Sequence, residues 1–132
     1  MTSVADWTLA PPPGRAAPLA AVDAYRVTQG DDEVRVEARF AIRHDEETLR
    51  GHFPGLPIYP GVFVVESVLQ AVALAYGRPA RLRELRSIRF LAPLLAGDEL
   101  RLDVRIRGEV AKGGCARQDG ATAVQLTAVV DV

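Results

Sequence analysis

Residues 33–42 alternate. Val34, Val36, Ala38, Phe40 and Ile42 fall on one side of an extended chain, and Arg35, Glu37, Arg39 and Ala41 on the other. A period of two predicts a strand with one buried face. Residues 19–28 read as a preceding strand, joined to it through the turn formers Gly30, Asp31 and Asp32. The cleanest alternation spans 99–110, where Leu100, Leu102, Val104 and Ile106 interleave with Arg101, Asp103, Arg105 and Arg107. Residues 81–91 and 121–132 also read as strands. The glycine-rich run 112–120 predicts at most one short strand, and 44–50 is a polar connector with room for a helical turn.

Residues 61–76 follow another rule. Val62, Phe63, Val64, Val65, Val68, Leu69, Ala71, Val72, Ala73, Leu74 and Ala75 leave no solvated face, Pro60 suits a first helical turn, and Gly77 and Pro79 are stop signals. Such a helix is buried. At 1.5 Å per residue it is roughly 24 Å long, short of an ordinary membrane crossing. Two strands, one buried helix and three or four further strands predict an α+β domain. A helix apolar on all sides needs cover on all sides. One curved antiparallel sheet supplies most of it, and the remaining side invites a second copy.

Two groups stand out within residues 51–76, His52 and Glu66. His52 opens a loop stiffened by Pro54, Pro57 and Pro60. Glu66 and Gln70 lie four apart on one helical stripe, with Ser67 beside them. A carboxylate in an apolar helix is costly without a partner or a task. From the helix alone, Glu66 is equally a side chain that reaches water or an arginine at the helix flank. His52, taken alone, is equally a histidine bonded within a tight turn. His44, among Asp45, Glu46 and Glu47, reads as a surface residue, and no second histidine joins it for a zinc site.

The chain has 132 residues and a net charge of −1, which fits one domain and gives no sign of a polyanion binder. Cys115 is the single cysteine, so an intrachain disulfide is impossible, and it reads as filler. The N-terminus has an early Asp6 and no uninterrupted apolar run, a poor signal peptide, so a cytoplasmic soluble protein is expected. Residues 1–17, rich in Pro and Ala, are expected as a tail, ordered only where Trp7 and Leu9 dock. Residues 18–132 form the domain. Arg78, Arg81, Arg83, Arg86 and Arg89 cluster after the helix with only Glu84 opposing them in sequence. They read either as the wet face of a strand or as a dock for an acidic partner.

The run HFPGLPIYPGVFVVESVLQ resembles the signature of the 3-hydroxyacyl-acyl-carrier-protein dehydratases of type II fatty-acid synthesis, H-F-P-G-x-P-x-M-P-G, an apolar stretch, then E-x-x-x-Q. His52, Phe53, Pro54, Gly55, Pro57, Pro60, Gly61, Glu66 and Gln70 match it without a gap. Tyr59 stands where the family usually carries methionine. Arg89, Phe90, Pro93, Gly97, Asp98 and Leu100 are similar to the family's R-F-x-x-P-x-x-P-G-D-x-L, with Ala96 replacing the second proline. The family's N-terminal Leu-Pro-His-Arg-Tyr-Pro-Phe stretch is not found.

The resemblance implies a hotdog fold, in which the sheet wraps one long central helix and two copies pair edge to edge. It implies a dehydratase that needs no cofactor and no metal. His52 and Glu66 would be the catalytic pair, contributed by different subunits to each site of a homodimer. One takes the C2 proton of a 3-hydroxyacyl thioester and one protonates the departing hydroxyl. The alternative is that His52 performs both transfers while Glu66 holds the water. The Gly61 N–H would polarise the thioester carbonyl, and Gln70 would orient its neighbour. Phe53, Ile58, Tyr59 and Phe63 are candidates for an acyl pocket, and equally for plain core. The five arginines are candidates for docking acyl carrier protein. An acyl thioesterase of the same fold and a catalytically silent acyl-binding partner subunit are the competing readings.

Overall fold

The computed structural model describes residues 6–10, 21–42 and 61–132. Among the described residues one helix, α1 (Gly61–Tyr76), packs against a seven-stranded antiparallel sheet in the order β1-β2-β3-β5-β6-β7-β4. The strands are β1 (Thr8–Leu9), β2 (Ala24–Gln29), β3 (Val34–Ala41), β4 (Arg81–Phe90), β5 (Glu99–Arg107), β6 (Val110–Ala116) and β7 (Thr122–Asp131). The chain leaves the sheet after β3, runs through α1, and returns at the far edge as β4. β5 then pairs with β3, closing the gap that the helix connection opened.

The alternating faces decide which side the helix takes. Val36, Ala38 and Phe40 on β3 stand opposite Val104, Leu102 and Leu100 on β5, and all six are buried. Against them α1 turns Val64, Ser67, Val68, Ala71 and Val72. Their spacing of three and four makes one stripe of an α-helix. The opposite stripe, Val65, Glu66, Leu69, Ala73 and Tyr76, is only half-buried. The all-round apolar helix is therefore covered on one side by its own sheet.

Edge strand β4 departs from strict alternation, and its sequence explains why. Leu82, Leu85 and Ile88 recur every third residue, which puts them on one face of a strand only if an extra residue is inserted between each pair. Register shifts fall at Leu82/Glu84 and at Leu85/Ser87, the places where such bulges are needed.

β6 is longer than its composition suggested. Gly108, with φ of 59°, makes the turn from β5, so the expected strand over 99–110 ends at Arg107 and β6 begins at Val110. Gly113 and Gly114 lie inside β6, where a Cβ would overlap the backbone carbonyl of Asp103 or of Val124 respectively. These glycines are demanded by close approach of neighbouring strands.

The arm at the N-terminus is tied down in part. Thr8 and Leu9 pair with Tyr25 and Ala24, and the Trp7 ring lies between Arg26 and Arg39, at 4.5 and 4.3 Å from its centroid. Of the two residues on whose docking the order of the arm was expected to depend, Leu9 is exposed. Cys115 is buried opposite Leu102, and burial pushes its thiol up to about 12. No described helix is long and apolar enough to cross a membrane.

Candidate active site

Glu66 sits on the half-buried stripe of α1, and its carboxylate is held by the next turn. Gln70 Nε2 donates to Glu66 Oε1 at 3.0 Å. The orientation of that amide is itself determined. The backbone N–H of Ala21 donates to Gln70 Oε1 at 2.8 Å, so the amide nitrogen is left to face Glu66. Ala21 is fully buried and cut off from water, which makes an acceptor at that point necessary. One side chain thus answers a main-chain donor on the segment before β2 and a carboxylate on the helix. Ser67 takes no part: it is buried, and its hydroxyl donates to the Phe63 carbonyl at 3.1 Å within the helix.

At the head of α1, the space beside Gly61 is taken by Phe90. A Cβ at Gly61 would run into the Phe90 ring. The glycine therefore has an immediate steric cause within the chain. Phe90 itself remains 61% exposed, so the ring covers the start of the helix without being locked in the core. The first helical turn carries no acidic residue. Its free N–H groups and positive dipole end are not neutralised by a side chain there.

The end of β3 is held just before the segment that carries His52. Gly97 N–H donates to the Ile42 carbonyl at 2.7 Å, and Ile42 N–H to the Asp98 carbonyl at 2.9 Å. The turn is closed by Asp98, whose Oδ2 accepts from Leu95 N–H at 2.8 Å, and Gly97 adopts φ of 95°. A side chain at 97 would be strained there. His52, Phe53, Ile58 and Tyr59 lie outside the described residues. Phe63 is half-buried and packs against the core.

The arginine cluster divides in space. Arg83 Nη1 meets Glu109 at 2.8 Å and Asp131 at 3.4 Å, and Arg86 lies 3.7 Å from Glu84. Glu84 is therefore not the only opposing acid, because the turn before β6 and the end of β7 bring two more. Arg78, Arg81 and Arg89 are exposed and have no ion pair among the described residues. Ala21 and Phe90 are the contributors that sequence reasoning passed over. A backbone N–H has no sequence signal, whereas Phe90 stands in the second stretch of resemblance. Among the described residues no group of three or more His, Cys, Asp or Glu side chains is arranged to hold a metal.

This helix-on-sheet arrangement is the hotdog fold. The dehydratase heterocomplex ApeI:P from Xenorhabdus doucetiae superposes with a TM-score of 0.68 at 19% identity, over 79% of this chain and 92% of that one. The (R)-hydratase from A. caviae involved in PHA biosynthesis superposes with a TM-score of 0.62 at 18% identity, over 74% and 93%. In sequence, residues 27–125 match the ApeI-like family model, described as ApeI dehydratase. The 3-hydroxyacyl-(acyl-carrier-protein) dehydratase FabZ of Bacillus licheniformis is 36% identical over 106 residues, 72% of this chain and 74% of the relative. The chain belongs to the FabZ-like and ApeI-like hotdog dehydratase family.

Proposed function

We propose that the chain is a 3-hydroxyacyl-acyl-carrier-protein dehydratase, a hydro-lyase that converts a 3-hydroxyacyl thioester to the trans-2-enoyl thioester in fatty-acid or polyketide-type biosynthesis. The observation that carries this reading is the Ala21–Gln70–Glu66 chain of hydrogen bonds. It holds a carboxyl group at a set orientation on the helix that forms the centre of a dehydratase fold.

The chemistry needs a base for the C2 proton, an acid for the C3 hydroxyl, and a donor for the carbonyl oxygen where charge gathers. His52 serves as the base, an imidazole being a suited proton acceptor at neutral pH. Glu66 donates to the departing hydroxyl. The Gly61 N–H at the helix start polarises the thioester carbonyl. Gly61 and Glu66 are five residues apart, about 7.5 Å along the axis, and helical side chains lean toward the N-terminus, which shortens the gap. Carbonyl donor and acid then address C1 and C3 of one short substrate, on either side of the C2 that gives up its proton. Gln70 is a positioning residue.

The open edge of the sheet supports the homodimer. β4 has no described neighbour on one side, and it leaves Leu82 and Leu85 each 39% exposed beside Phe90. Pairing of two β4 strands buries this apolar row and brings the half-buried stripe of α1 toward its twin. His52 of one protomer and Glu66 of the other then complete each site. Acyl carrier protein is the substrate's bearer, and Arg78, Arg81 and Arg89 are the members of the arginine group left available to an acidic surface. The protein works in the cytoplasm.

Incubation with a 3-hydroxyacyl thioester tests the reading. Growth of enoyl absorbance without free thiol is the expected result. Thiol release instead marks a thioesterase, and no product marks a binding subunit.

A further inference from the structure

The face of the sheet turned away from α1 carries a basin of about 720 Å³, which shares Arg89 with the arginine group above and otherwise stands apart from the proposed reaction. It forms where β6 has no outward side chain. Gly114 stands between Asp103 on β5 and Gln125 on β7, all three pointing away from the helix. A Cβ at Gly114 would overlap the Val124 carbonyl, so the depression is built into the backbone. Around it rise Arg89, Arg101, Arg105, Lys112, Gln125 and Thr127.

The charge balance of this rim is uneven. Its one acid, Asp103, accepts two bonds from Arg35, at 2.9 and 2.7 Å, and is thereby neutralised from outside the basin. Arg101 is paired with Glu99 at 2.8 Å, and Arg105 reaches Glu33 only at 3.5 Å. Arg89 and Lys112, the chain's single lysine, have no ion pair among the described residues. Lys112 adjoins the floor on β6, and Arg89 stands beyond Gln125 on β4. Two strand spacings and two residues separate them, on the order of 12 Å between Cα atoms. Side chains of that length can reach toward one another across the floor, and both residues line the basin together with Gln125 and Thr127.

We propose that this basin is a binding site for a small phosphate-bearing anion, recognised through its phosphoryl oxygens by Lys112, Arg89 and the Gln125 amide. Guanidinium and ammonium groups together with neutral donors suit the many acceptors of a phosphate or pyrophosphate. No aromatic side chain among the described residues lines the basin, so a nucleobase gains no stacking surface from them, and the phosphates are the recognised part. A second copy is an unfavourable occupant, because identical faces would bring unpaired cations together.

Calorimetric titration of the full chain with inorganic phosphate, pyrophosphate and ADP tests the assignment, independently of turnover. One pyrophosphate per chain is expected, weakened at higher salt, with ADP no tighter than pyrophosphate. Lys112→Gln should weaken binding by about fivefold and the Lys112→Gln/Arg89→Gln pair by about twentyfold or more, as loss of charge-assisted bonds requires. Lys112→Arg should retain binding, and Arg78→Gln, in the connection between α1 and β4, should leave it unchanged. Absence of saturable binding up to about 5 mM, the range of a site worth some 3 kcal/mol, would overturn the assignment. So would binding indifferent to the Lys112 and Arg89 changes. Polyglutamate binding at these same residues, with pyrophosphate inert, would overturn it in favour of an acidic protein partner.

Discussion

Replacing Gln70 with methionine removes both of its described hydrogen bonds while nearly keeping its volume. The buried Ala21 N–H then loses its acceptor at 2.8 Å, and Glu66 loses a donor at 3.0 Å. An unsatisfied buried donor costs about 1–3 kcal/mol, and the lost bond to Glu66 adds about 1 kcal/mol. With little cavity to add, Gln70→Met should destabilise the domain by about 2–4 kcal/mol. For a chain of this size, each kcal/mol moves Tm by about 4 °C, so heating followed by circular dichroism should show a fall of about 8–16 °C. Below the transition, kcat for dehydration should fall by about tenfold or more while KM changes little, because Glu66 then loses the Gln70 bond that helps to orient it. A Tm within about 2 °C of wild type would refute the buried-donor reasoning. An unchanged kcat in the folded variant would refute the positioning role.

Gly61→Ala should lower stability by about 1–2 kcal/mol through collision with Phe90, and Phe90→Ala in the same chain should restore most of it in urea unfolding, since the ring is mostly exposed and yields. Gly114→Ala meets the Val124 backbone instead, so no side-chain change should rescue it. A loss of about 3 kcal/mol or more is expected there. The Cys115 thiol, at about 12 in the folded chain against an ordinary 9.0, should resist a thiol reagent at pH 8 until the protein is unfolded. Because the folded state keeps that proton longer than the unfolded state, stability should decline as pH rises from about 9 toward 12. A Cys115→Ala variant should lose that part of the decline. His52→Ala and Glu66→Ala chains, each inactive, should regain part of the activity when refolded together. No recovery in a verified mixed dimer would argue for sites built within one chain.

The elements that were legible in the sequence are those whose pattern reports burial directly. The alternation of Val34 to Ile42 and of Leu100 to Ile106 predicts β3 and β5, and the two pair with Val34, Val36, Ala38 and Phe40 facing Ile106, Val104, Leu102 and Leu100. The helix over 61–76 appears with those bounds because Pro60, Gly77 and Pro79 punctuate a run that is apolar apart from Glu66, Ser67 and Gln70. β6 was hidden because Gly113 and Gly114 carry no side chain to alternate, and their reason for being glycine lies on β5 and β7. The arginine cluster looked nearly unopposed because Glu109 and Asp131 are distant in sequence and adjacent only in the folded sheet. In the candidate site, Glu66 and Gln70 were visible as an i, i+4 pair. The Ala21 N–H that fixes the Gln70 amide belongs to the main chain and leaves no trace in residue type.

The most direct measurement is the rate of enoyl thioester formation from a 3-hydroxyacyl-acyl-carrier-protein substrate by wild type, His52→Ala and Glu66→Gln, each verified as folded. Wild type is expected to produce enoyl thioester with no free thiol. Each variant is expected to be slower by about 10²–10⁴-fold, the range for removal of a general acid or base. Thiol release by wild type, or a folded variant at either position that dehydrates as fast as wild type, would contradict the pairing of His52 with Glu66.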